Sequence, residues 1–139
     1  MESETQFIAR YAETDRMGIV HHSNYPVWFE AGRTDFLKKA GMANSRIEEL
    51  GVLLPLSHME CSFKSPARYE DEIVVKTKIR RMTCARIEFE YEIVKANDGA
   101  VIAVGSTSHA WTNKSLKPLN IEKKLPELCS MLKKAAGSI

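Results

Sequence analysis

Apolar and polar residues alternate with a period of two through most of the second half of the chain, and recur at spacings of three and four in one stretch of the first half. Met59, Cys61 and Phe63 alternate with Glu60, Ser62 and Lys64, and Ile73, Val75, Thr77 and Ile79 alternate with Val74, Lys76, Lys78 and Arg80. The cleanest run sets Ile87, Phe89, Tyr91 and Ile93 against Glu88, Glu90 and Glu92. Such alternation predicts strands with one face on a core and one in water. A turn at Asn97-Asp98-Gly99 follows, and Ala100 to Asn113 continues as a long strand of small and apolar residues. Upstream, Tyr25, Trp28, Phe29, Gly32, Phe36 and Ala40 form the stripe of a helix with one buried face. Pro26 suits its first turn, Ser23 and Asn24 offer capping oxygens, and Gly41 suits a left-handed C-terminal residue. Thr5 to Tyr11 reads as a short strand, Ser45 to Leu50 as a short helix closed by Gly51, and Glu122 to Lys134 as a terminal helix interrupted by Pro126. Ala12 to Asn24, rich in Gly, Asp, Ser and Asn, has no sustained period and is expected to be an ordered loop.

The predicted order is strand, loop, long helix, four successive strands able to pair as antiparallel neighbours, then a helix, which is an α+β arrangement. One long helix covers one face of such a sheet, so the other face or an edge is expected to meet another subunit, giving at least a dimer. With 139 residues, 44% hydrophobic and 27% charged, residues 1–139 are expected to form a single domain. A chain of this size buries roughly two-thirds of its unfolded surface, enough for a core without metal or disulfide staples.

Charge and cysteine usage narrow the classes further. A net charge of +2, from twenty Lys and Arg against eighteen Asp and Glu, argues against an electrostatic nucleic-acid binder. Apolar stretches such as Val52 to Leu56 and Ala100 to Val104 are far short of the ~18 residues that cross a bilayer. The acidic start, Met1-Glu-Ser-Glu-Thr, lacks the features of a secretory signal, so a cytoplasmic location is expected. Cys61, Cys84 and Cys129 have no metal-binding spacing and read as reduced structural thiols. His21 and His22 are adjacent, point apart in loop chain and find no further ligand cluster, so no metal is expected; His58 and His109 read as packed or surface residues.

The chemically informative stretch is Tyr11 to Glu30. It places the carboxylate of Asp15 in a loop and, seven to ten residues later, the start of the long helix. The first backbone N–H groups of a helix lack intrahelical acceptors, and the aligned peptide dipoles add partial positive charge there. A carboxylate facing such a hole suits acyl transfer: the amides polarise a carbonyl while the carboxylate attacks it or activates water. The same residue in the same loop also suits a purely local role, capping its own turn, and spacing alone leaves the two open.

Asp15, Gly18-Ile19-Val20, His22, Asn24-Tyr25, Trp28-Phe29-Glu30 and Arg33 together resemble the signature of the 4-hydroxybenzoyl-CoA thioesterase family, in its YbgC-like acyl-CoA thioesterase branch. Pro66-Ala67-Arg68-Tyr69-Glu70-Asp71 matches a second segment common in that family, and the likeness covers about Thr5 to Asn113. The resemblance implies a hotdog fold, a curved antiparallel sheet wrapped around one long helix, with homodimers or homotetramers and active sites between subunits. It also implies that Asp15 is the catalytic carboxylate, that the His22 backbone N–H binds the thioester oxygen, that the His22 side chain helps orient water or substrate, and that Tyr11 lies beside the site. No cofactor is implied. A thioester is electrophilic enough, with a good enough leaving group, for one carboxylate and an oxyanion hole to suffice, by direct attack or by general-base catalysis.

Tyr25 and Trp28 belong first to the buried helix stripe, yet stand close enough to the helix start to line an acyl pocket. The phosphates of coenzyme A call for local cations, for which Arg68, Arg80, Arg81 and Arg86 are candidates. The expected activity is hydrolysis of an acyl-CoA, or an acyl-carrier-protein thioester, to the acid and the free thiol. The rivals are a hotdog-fold hydratase or dehydratase, whose Asp-x-Asn-Pro-x-His run is absent, and a noncatalytic acyl-CoA-binding protein, which would have no use for Asp15 opposite a helix start.

Overall fold

The computed structural model describes residues 1–137. Strand β1 (Ser3–Ile8) leads into a single 3-10 turn (Tyr11–Glu13) and a loop, followed by helices α1 (Asn24–Ala40) and α2 (Asn44–Glu49). Strands β2 (Leu56–Phe63), β3 (Glu72–Met82), β4 (Arg86–Lys95) and β5 (Val101–Ala110) come next, then short α3 (Ile121–Lys124) and α4 (Pro126–Ala135). Leu125 and Pro126 break the terminal helix where the sequence predicts. The first strand stops at Ile8, earlier than its expected end, because the chain must turn to seat Glu13 in the interior.

All neighbours in the five-stranded sheet are antiparallel, in the order β1-β3-β4-β5-β2. The expected β2–β3 pairing is not made. β2 pairs instead with β5, with Cys61 opposite Gly105, and β3 lies between β1 and β4. The chain from Lys64 to Asp71 explains this, since it does not turn back on itself. Lys64 N–H donates to the Ile102 carbonyl, Ala67 accepts from Val20 N–H, and Asp71 accepts from Ala9 N–H. Residues 64–71 therefore cross the end of the sheet from one edge towards the other. Alternation assigns faces to a strand and carries no information about its neighbours.

Helix α1 lies on the inner face of the sheet. Phe29 and Phe36 are fully buried, Phe29 stacking on Tyr91 at 4.4 Å between ring centres and Phe36 meeting Phe89 edge-on at 5.8 Å. Gly32 permits the close approach: a Cβ there would stand 2.5 Å from Thr77 Oγ1 and 2.7 Å from Val75 Cγ1. Ile73, Val75, Ile79, Ile87, Phe89, Tyr91 and Ile93 are all buried on this face, as their period predicts. α4 adds Leu128, Cys129 and Leu132 to the same core. Cys61 is half-buried and unpaired, while Cys84 is exposed beside the β3–β4 turn, so it is not the structural thiol expected of it. Among the described residues no helix is long and apolar enough to cross a membrane.

A polar chain runs through this core. Arg33 on α1 donates to the Tyr91 hydroxyl at 3.2 Å; Tyr91 shares a hydrogen bond with Thr107; and His109 bridges Thr107 Oγ1 at 2.9 Å and the Leu54 carbonyl at 3.0 Å. Burial, seconded by the Arg33 charge, pushes the His109 imidazole down to about 4, against a partial opposing effect of the Leu54 carbonyl. The unfolded chain takes up this proton near pH 6.5 and the folded chain does not, so stability is full above that range and falls as pH drops towards 4. The shift corresponds to roughly 3 kcal/mol. Urea unfolding should show most of that loss between pH 7.5 and 4.5, and His109→Gln should flatten the dependence over this interval.

Candidate functional site

The loop between β1 and α1 is closed by its own backbone. Thr14 and Val20 form an antiparallel bridge, Asp15 N–H donates to the Ile19 carbonyl at 2.9 Å, and Gly18 N–H donates to the Asp15 carbonyl at 3.0 Å. Gly18 takes φ +78°, a left-handed conformation that a side chain would strain. Asp15 is half-buried, and its Oδ1 accepts the Met17 N–H at 2.8 Å. One oxygen thus performs the local capping role. The other, Oδ2, has no hydrogen bond among the described residues.

At the other end of the loop, His21 N–H donates to the Glu13 carbonyl, and the amides of Asn24 and Tyr25 donate to the His21 and His22 carbonyls. The expected capping oxygens do not cap α1. Ser23 already has helical angles and its hydroxyl pairs with His21 Nδ1 at 2.8 Å, while the Asn24 side chain acts as a donor, to the Glu13 carbonyl at 2.9 Å and the His21 carbonyl at 3.2 Å. The His22 N–H makes no hydrogen bond among the described residues. An unpartnered amide beside the positive end of a 17-residue helix favours an oxyanion. The His22 side chain is exposed, with its ring 4.1 Å from His21 and 6.4 Å from Phe63.

Aromatic rings surround the helix start. Tyr25 is buried and meets Trp28 edge-on at 5.2 Å and Phe63 at 5.3 Å. Burial pushes the Tyr25 phenol up, with the Ala67 backbone hydrogen bond pulling partly back. Tyr11 is exposed and rests edge-on against Tyr69 at 5.5 Å. Val20 N–H, bonded to the Ala67 carbonyl at 2.8 Å, brings the Pro66 to Tyr69 segment alongside the Asp15 loop. Phe63 and Tyr69 are rim residues the sequence reading missed. Phe63 was visible only as the last apolar position of a strand, and nothing local places that strand end beside Tyr25.

Of the four candidate arginines, Arg68 sits exposed at this rim, next to Ala67. Arg80, Arg81 and Arg86 do not. Asp71, just ahead of β3, is hydrogen-bonded to Ala9 near the loop, and the run from Ile73 to Arg80 then spans roughly 23 Å at ~3.3 Å per residue. Within one chain the three arginines therefore lie towards the opposite end of the sheet from Asp15. Arg80 is paired there with Glu88 at 3.5 Å, and Arg81 and Arg86 are exposed near the β3–β4 turn. Arg10 and Arg16, exposed on either side of the 3-10 turn and Asp15, are the cations that sequence spacing did not single out.

Glu13 was also overlooked. It is 5% exposed, and its carboxylate accepts the Arg10 backbone N–H at 2.8 Å on Oε1 and the Trp28 indole N–H at 2.8 Å on Oε2. Burial alone would raise its carboxyl, but these donors and the Arg10 guanidinium outweigh that and hold it below the usual carboxylate range. Trp28 is accordingly anchored to the loop by its nitrogen, while its ring also meets Phe7. Clefts of the single chain lie on the outer sheet face among Lys76, Lys78, Arg80 and Glu90, between β1 and α1, and beside Glu13 and Trp28 against Phe7, Arg10 and Val27. Arg16, Met17 and Gly18 beside Asp15 are exposed, so this loop lies on an open rim.

The thioesterase-like superfamily profile matches residues 9–135. A putative acyl-CoA thioesterase, YneP, of Bacillus subtilis is 37% identical over 135 residues, covering 96% of each chain. The acyl-CoA thioester hydrolase YbgC of Escherichia coli is 27% identical over 88 residues, covering 63% of this chain and 66% of the relative. The crystal structure of a DHNA-CoA thioesterase from Staphylococcus aureus superposes with a TM-score of 0.93 at 30% identity, covering 98% of this chain and 91% of the other. The curved antiparallel sheet with its long helix is the hotdog fold, and the chain belongs to the thioesterase-like superfamily.

Proposed function

We propose that this protein hydrolyses an acyl-CoA thioester to a carboxylic acid and free coenzyme A. Its relatives carry that activity in their names, and one observation supports the chemistry: a carboxylate oxygen and an N–H, both unpartnered, stand at the two ends of one closed loop. The thioester carbonyl oxygen accepts from the His22 N–H, whose charge complements the oxyanion as it forms. Asp15 Oδ2 then attacks the carbonyl carbon or takes a proton from the water that does. On direct attack the carbon–sulfur bond breaks to leave an Asp15–acyl mixed anhydride, which water hydrolyses to the acid and free Asp15. On the water route the water oxygen bonds to the carbon as the carbon–sulfur bond breaks, and the proton taken by Asp15 passes to the leaving thiolate. The His22 side chain, at the rim, orients water or substrate. Tyr25 and Trp28 form the inner wall of the acyl pocket and Tyr11 its outer edge. Arg68, joined by Arg10 and Arg16, meets the phosphates. The rings around the helix start, and a structural relative named for an aryl thioester, favour an aromatic acyl group.

The domain works as a homodimer or a dimer of dimers in this reading. β2 is an edge strand with free backbone groups, and Leu56, Met59 and Phe63 along it are exposed. A second copy on that edge supplies the wall that the open rim lacks.

Free thiol should be released from acyl-CoA, faster from a benzoyl-type analogue than from short alkyl chains, and Asp15→Asn should lower turnover by about 10³-fold or more while leaving thermal unfolding and CoA binding intact. Persistent turnover in that variant would eliminate the proposed role. A hydratase would change enoyl absorbance without thiol release, and a binding protein would bind without it. Solution mass should be a multiple of 15.7 kDa, and Met59→Lys should shift it to the monomer while cutting turnover.

A further inference from the structure

Residues 10–15 carry the proposed reactive carboxylate and residues 21–28 the proposed oxyanion amide. Every hydrogen bond joining these two segments among the described residues ends on Glu13. Its carbonyl accepts His21 N–H at 2.8 Å and Asn24 Nδ2 at 2.9 Å, and its Oε2 accepts the Trp28 indole N–H at 2.8 Å from one turn into α1. Its other oxygen holds Arg10 N–H on the upstream side of the same turn. We propose that Glu13 is a positioning residue that sets where Asp15 stands relative to the His22 amide, and so controls the rate of thioester cleavage without touching substrate.

The side-chain chemistry argues for this assignment. A buried carboxylate is costly, and an apolar residue could fill the same space. What only a carboxylate supplies is two charged acceptor oxygens on one rigid group, here shared between donors on two different elements. Glutamine has a single acceptor oxygen, and its amide would set N–H against N–H at one of the two bonds. Aspartate is one methylene shorter. The Trp28 donor is equally constrained, since Phe7 at 5.3 Å and Tyr25 at 5.2 Å meet its ring edge-on and fix the direction of its N–H. The clamp is thus rigid on both sides. Asp15 is two residues beyond it, so a release of the turn displaces the carboxylate against a helix that the sheet holds still.

This inference rests on the reading that Asp15 acts on the thioester. Displacements of about 1 Å in a reacting pair can cost ~10²-fold in rate. Glu13→Gln, which sets N–H against N–H at one of the two carboxylate bonds, should therefore lower kcat for the best acyl-CoA by about 10-fold or more in the folded enzyme while KM stays within about twofold. Trp28→Phe, which removes the indole donor, should lower kcat similarly, with KM free to change because that ring also walls the acyl pocket. Ile121→Val, a core truncation distant from the loop, should lower the melting temperature with kcat unchanged and so separates weakened packing from lost positioning. A kcat within twofold of the native value in Glu13→Gln would overturn the assignment. If Asp15→Asn is inactive and Glu13→Gln fully active, this inference alone fails; if Asp15→Asn turns over normally, the parent reading fails and takes the inference with it.

Discussion

How closely α1 can approach the sheet decides where everything else can go. Gly32 brings the helix backbone against Val75 and Thr77, and Gly105 leaves room for the Phe29 ring, which then lies flat on Tyr91. A single missing Cβ at each of these places converts a helix resting on a sheet into one embedded in its curve. Interiors are close-packed, so neither contact yields gradually: a methyl group at Gly32 would need the helix or β3 to shift. These close approaches set how the helix sits on the sheet, and so where its N-terminal end and the loop before it stand.

That loop solves an electrostatic problem with very few groups. Its hydrogen bonds consume one Asp15 oxygen and most of the amides near the helix start, yet among the described residues leave one oxygen and the His22 N–H free. Two oppositely polarised groups on one small closed ring of backbone would collapse onto each other in a flexible chain. Here the Thr14–Val20 bridge, the left-handed Gly18 and the Glu13 clamp hold them apart. Preorganisation of this kind is what makes a backbone amide worth several kcal/mol at a developing oxyanion, whereas in water it would reorganise at similar cost.

The single chain presents this apparatus on an open rim rather than in a pocket. An edge strand with exposed apolar residues runs to that same rim, and its last ring, Phe63, touches both Tyr25 and His22. Edge strands of this composition are normally covered. Completion of the site and covering of the edge are therefore the same event in our reading, which couples the oligomer to the activity. The outer sheet face, in contrast, is laced by the Lys78–Glu90 and Arg80–Glu88 pairs. Such exposed pairs add little stability, and the arginine among them is already occupied.

Local pattern was enough for the elements. Periods of two and of three to four residues marked the four later strands and α1 to within a few residues, because side-chain direction follows the backbone. In edge strand β2 the period marked the strand but not burial, since Met59 and Phe63 stay exposed. The resemblance carried by Asp15 to Arg33 was enough for the family. Neighbour relations were not legible: β2 and β3 are consecutive in the chain but separated in the sheet by the crossing of residues 64–71. For the same reason Arg80, Arg81 and Arg86 looked as good as Arg68, although only Arg68 follows a residue bonded to the loop. Glu13 stood unnoticed two positions from Asp15, since a glutamate in a polar loop reads as solvated until its partner, fifteen residues on, is seen to bury it. Sequence alone thus determined the elements, which depend on residue type and short spacing, and, through the resemblance, the family. Only the tertiary structure decided which residues meet, because hydrogen bonds and close approaches act over a few ångströms between groups that the chain order keeps far apart.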